Sequence, residues 1–79
     1  MQFTIISPQQ RKELAISWLE VNTPAGNFVI QRGHAPTILL VLPHQPVTVC
    51  MSNGKQETFD TPGGILEINR TQALLLLNE

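Results

Sequence analysis

The chain has 79 residues and a formal net charge of −1, with 42% hydrophobic, 14% charged and 5% aromatic residues. That is room for one small domain with a thin core, and its five Lys and Arg residues are scattered, which argues against nucleic acid as a partner. The longest aliphatic runs, Ile38–Leu42 and Ala73–Leu77, are five residues each, against about 20 for a membrane-spanning helix.

No basic segment followed by an apolar stretch opens the chain, so no signal peptide is read there. A single cysteine, Cys50, excludes an internal disulfide and suits a reducing compartment. The expectation is a soluble, intracellular, single-domain protein.

Pro and Gly punctuate the chain so densely that only short elements fit between them, the spacing of an all-β sandwich or barrel. Phe3 and Ile5 alternate with Gln2 and Thr4 in a first strand. Residues 9–19 are ambiguous. Ser7, Pro8 and Gln10 read as an N-cap, an N1 proline and a capping-box partner, whereas Leu14, Ile16 and Trp18 have strand spacing. The phase then slips to Leu19 and Val21, as a bulge or a strand bending between two sheets produces. Periodicity favours strand without deciding it.

Gly26 and Gly33 bracket the next strand. Ile38–Leu42 is apolar on both faces, which predicts a central, covered strand. Val47, Val49 and Met51 alternate with Thr48 and Cys50. Asn53–Gly54 then predicts a type I′ hairpin, returning along Lys55–Thr61 with Phe59 as its apolar anchor. Gly63–Gly64 predicts a bulge or a tight crossover. Ile65–Asn69 and Gln72–Leu77 form a second hairpin through Asn69–Arg70–Thr71.

Catalytic chemistry is hard to assemble from these residues. Cys50 reads as a small buried hydrophobe. His34 and His44 lack the further ligands of a zinc set. The carboxylates Glu13, Glu20, Glu57, Asp60, Glu67 and Glu79 are dispersed, and Gly63–Gly64 lacks the Lys-Ser/Thr of a phosphate loop. Chemistry alone describes a small β-sandwich that is not an enzyme.

One stretch is more specific. Gly33–His34–Ala35–Pro36, followed by aliphatic Ile38–Leu42, resembles the Gly-His-Ala-Pro signature of the epsilon subunit of the F-type ATP synthase. Upstream, Val21–Phe28 is similar to that family's Val-x-x-Pro-x-x-Gly-x-Phe/Leu segment. Downstream, Gly63–Ile68 is similar to its Gly-Gly-Ile-Leu-Glu-Val strand. The three blocks agree in order and spacing, and Phe3–Pro8 resembles the family's first strand. The chain departs from the pattern at Val29–Arg32, at Leu42–Pro46 and at Asn27, where an acidic residue is common.

The resemblance implies a flattened β-sandwich of eight to ten short strands, with residues 9–19 as strand and turn. It implies a non-catalytic rotor subunit that links the gamma subunit to the c-ring, peripheral to the cytoplasmic face of the inner or plasma membrane. By carry-over, His34, Ile38 and Leu39 face gamma, while Asn27 and Arg32 approach the polar loops of the c-ring. No cofactor, metal, nucleotide or membrane insertion is implied. Trp18, Phe28 and Phe59 are expected in the core, and part of Leu74–Leu77 outward.

Family members commonly continue into a C-terminal pair of regulatory helices. The chain is expected to be a single domain, 1–79, without that pair. The alternatives are a free-standing β-sandwich adaptor for an unrelated soluble partner and, more weakly, a small hydrolase using His34 or Cys50.

Overall fold

The computed structural model describes residues 1–78. It has eight strands and no helix: β1 (Gln2–Ile6), β2 (Arg11–Thr23), β3 (Gly26–Gln31), β4 (Thr37–Val41), β5 (Pro46–Met51), β6 (Gln56–Asp60), β7 (Gly64–Ile68) and β8 (Gln72–Leu77). The main path runs β4-β7-β8-β1-β2-β5-β6, with β3 paired to β2 off this path. All pairs are antiparallel except β1 with β8. The sheet curls so that its two halves face each other across one core, giving a flattened body of 28 × 27 × 19 Å.

Strand β2 makes this possible. Its first half pairs with β1, and its second half pairs with β3 and β5. The register shifts between Ile16 and Trp18, the expected bulge, and a bulge bends a strand and sharpens its twist. Ile16 and Leu19 therefore both point inward and are buried, with Ser17 and Trp18 between them facing out. Trp18 is half-buried and lies outside the hydrophobic cluster, which corrects its expected place in the core. The slip comes one turn of the alternation earlier than the apolar pattern suggested, so Trp18 falls on the outer side. Phe28 and Phe59 do pack against the cluster.

The core is built from alternate residues of both halves: Phe3, Ile16, Leu19, Val21, Ile30, Val41, Val47, Val49, Leu66, Ile68, Ala73 and Leu75. Fully burying a side chain such as Leu or Phe is worth about 1.5–3 kcal/mol. Across the sheet, Leu42 N–H donates to the Asn22 carbonyl at 3.0 Å, tying the end of β4 to the end of β2.

One turn differs from its sequence reading. The β5–β6 hairpin forms at Asn53–Gly54, but only Gly54 has a positive φ, of 91°. Gly54 N–H donates to the Met51 carbonyl at 2.8 Å and Met51 N–H to the Lys55 carbonyl at 2.7 Å. This is a three-residue loop closed by a left-handed glycine, not a type I′ turn. The Asn53 side chain accepts the Lys55 N–H at 3.0 Å, which holds Asn53 out of the left-handed region. In the β4–β5 turn His44 itself takes a φ of 60°, a region that costs non-glycine residues about 1–2 kcal/mol.

The larger difference is β4. It pairs with β7 alone and forms an edge of the sheet, not its covered centre. Its double apolar character therefore does not serve the chain's own core on both sides.

Candidate functional site

Along β4 the side chains alternate. Val41 is buried, Leu39 packs against the core, and Ile38 and Leu40 are 69% and 60% exposed. Register then decides what lies beside them. Leu40 is opposite Ile65, Ile65 opposite Leu76, and Leu76 opposite Ile6. The next row runs Ile38, Glu67, Leu74, Thr4. Ile65 and Leu76 are 42% and 39% exposed. Four adjacent strands thus present one outward apolar surface interrupted by a single carboxylate, Glu67. Scattered exposed apolar residues are ordinary, but a contiguous patch marks an interaction surface.

The polar candidates sit elsewhere. Arg32, Gly33 and His34 lie in the β3–β4 turn. Gly33 N–H donates to the Arg70 carbonyl at 2.8 Å, so this turn is joined to the β7–β8 turn. His34 N–H donates to the Gln31 carbonyl at 3.1 Å, and its Nδ1 lies 2.8 Å from the Ala35 carbonyl oxygen. A carbonyl only accepts, so Nδ1 carries the hydrogen and Nε2 is free. Asn27 lies at the other end of β3, where its side chain donates to Asn22 Oδ1 at 3.0 Å.

Asn27 and Arg32 are therefore five positions apart along an extended strand, about 17 Å. They stand at opposite ends of β3. Leu39 likewise does not share a surface with Ile38, because successive strand side chains point to opposite faces. Leu40, Ile65 and Leu76 were not among the site residues expected from sequence. Their signal was the alternation within each strand; their assembly depends on register between strands.

Cys50 is buried on the side of β5 opposite Val49, with Sγ 3.7 Å from the Met51 carbonyl oxygen. No group of three or more His, Cys, Asp or Glu is arranged to hold a metal among the described residues. Between the two halves of the sheet, a crevice of about 270 Å³ has an apolar floor that includes Ile5, Val49 and Phe59, with Lys12, Glu57 and Asp60 at its rim. That is below the size range of small-molecule sites, roughly 300–1,000 Å³.

The family model for the ATP synthase delta/epsilon chain β-sandwich domain matches residues 1–79. The chain belongs to this family. It is 36% identical over 78 residues to an ATP synthase epsilon chain of Paracoccus denitrificans, covering 96% of this chain and 51% of the relative. It is 40% identical over 76 residues to that of Sinorhizobium fredii, covering 94% and 55%. The chain thus spans about half the length of these curated relatives.

A chain in each of two solved assemblies shares this fold. One is a mitochondrial ATP synthase of Euglena gracilis containing OSCP, F1 and c-ring, with TM-score 0.83, 18% identity, and coverage of 98% of this chain and 49% of that one. The other is the central stalk and c-ring of the Tetrahymena thermophila mitochondrial enzyme, with TM-score 0.82, 16% identity, and coverage of 100% and 63%.

Proposed function

We propose that this epsilon-type chain is a non-catalytic rotor subunit of a rotary ATP synthase, joining the gamma subunit to the c-ring. The observation that carries this reading is the apolar outer surface of β4, β7, β8 and β1, presented by a sandwich of the epsilon family. A relative's name, ATP synthase epsilon chain, and a neighbour's place in a central stalk with its c-ring support the same role.

Ile38, Leu40, Ile65 and Leu76 would form the desolvated centre of the gamma contact, with His34 at its border as a hydrogen-bonding anchor through Nε2. Asn27 and the adjoining β2–β3 turn would approach the c-ring. Torque passes between these contacts only if the body does not deform, and a closely packed core shared by two facing sheets supplies that stiffness. The chain acts peripherally at the membrane in this reading; no helix among the described residues is long and apolar enough to cross one.

The test is association with the cognate gamma subunit. Ile38→Asp with Leu40→Asp is expected to weaken binding at least 100-fold, since two buried charges in an apolar interface cost on the order of 3 kcal/mol or more. Wild-type protein that fails to bind gamma at micromolar concentration would favour the adaptor alternative.

A further inference from the structure

The two turns that meet at the β3–β4 and β7–β8 corner carry two arginines and a histidine. Gly33 N–H donates to the Arg70 carbonyl at 2.8 Å, and Arg70 Nη1 donates back to the Gly33 carbonyl at 3.4 Å. The exchange clamps the turns together. Thr71 N–H and Gln72 N–H both donate to Asn69 Oδ1, at 3.0 and 2.8 Å, which stiffens the Arg70 turn from within. Arg32 stands next to Gly33, whose φ of 89° provides the sharp reversal.

Both arginines are exposed. Among the described residues the only carboxylate within 4.0 Å of a cation is Glu13, beside Arg11. Arg32 and Arg70 thus have no carboxylate partner among the described residues, on a scaffold that needs little further ordering to bind one.

We propose that Arg32 and Arg70, with His34 beside them, form a cationic clasp for an acidic polypeptide segment of a protein partner. The chemistry is charge-assisted hydrogen bonding from planar guanidinium groups to side-chain carboxylates. A protein is favoured over a free anion because the clasp adjoins the apolar surface: Arg70 lies in the turn just after β7, three residues beyond Glu67, whose partner across the ladder is Ile38. An apolar centre with a charged rim is the anatomy of protein interfaces, where rim charges steer encounter and fix register. The proposal rests on reading that surface as a protein-docking face, and it assigns Arg32 to this border instead of the Asn27 end.

The full chain, labelled with ¹⁵N, is titrated with a hexaglutamate peptide at about 50 mM and about 300 mM salt, where screening differs strongly. Saturable amide shifts are expected at Gly33, His34, Arg70 and Thr71 in low salt and are lost in high salt. Arg32→Ala with Arg70→Ala should reduce them at least fivefold while the remaining spectrum stays dispersed. Arg32→Lys with Arg70→Lys should fall between, because charge remains while the fork geometry goes. Shifts absent from these amides, or reproduced equally by inorganic phosphate, overturn the clasp.

A second arm measures affinity for gamma. The double alanine variant should bind roughly tenfold more weakly in low salt and show a flatter salt dependence. If only Ile38→Asp with Leu40→Asp weakens binding, the clasp falls and the docking face stands. If wild type does not bind gamma at all, the rotor reading falls, and the peptide titration alone decides the clasp.

Discussion

Single residues differ in how much of their role is local. Gly64 is buried in β7, and a Cβ added there would run into the Leu76 carbonyl oxygen of β8, its hydrogen-bonded neighbour. Gly63 adds a φ of 86° and a would-be Cβ only 2.9 Å from the Val41 carbonyl oxygen. The pair was legible as backbone chemistry because only glycine tolerates both demands. Which strand approaches was not. Gly64→Ala is expected to destabilise by ~3 kcal/mol, since the obstacle is backbone and has no rotamer to yield; urea unfolding checks it, and a midpoint equal to wild type would contradict the packing. Trp18 shows the reverse case. Its type suggested the core, but one bulge residue rotated it outward.

At the scale of elements, the hairpins separate what turn chemistry fixes from what pairing fixes. Asn69–Arg70–Thr71 was readable as a turn, and Asn69 accepts the N–H groups of both Thr71 and Gln72 through its side chain. Asn69→Ala leaves those groups to water and should cost about 1 kcal/mol. The expected readout is a lower urea midpoint with faster amide exchange confined to the β7–β8 turn; uniform acceleration over the whole chain would contradict a local role.

Strand β4 taught a different lesson. A run apolar on both faces fits a buried central strand and an edge strand whose outer face awaits a partner equally well. Composition alone does not distinguish them, and β4 is the edge.

For the whole molecule, the outer apolar surface contributes little to folding, and binding is its role in the function proposed above. Leu40 is 60% exposed, outside the cluster that holds the sandwich together. Leu40→Ser should therefore change unfolding free energy by no more than about 0.5 kcal/mol, the usual range for surface positions, while Leu66→Ala, at a fully buried site, should cost ~2–5 kcal/mol. Calorimetry on the two variants checks the contrast; equal losses would place Leu40 in the core and remove the docking face.

Beyond a preference for strand over helix at residues 9–19, the sequence by itself determined the all-β class, most of the strand and turn positions and the resemblance of three motif blocks to the epsilon family. These follow from alternation, glycine and proline chemistry and short-range order, all readable along one dimension. Tertiary structure alone decided that Ile38, Leu40, Ile65, Leu76 and Ile6 share a surface and that Gly33 meets Arg70. Each depends on which strands pair and in what register. A shift of one residue would send every side chain of a strand to the other face.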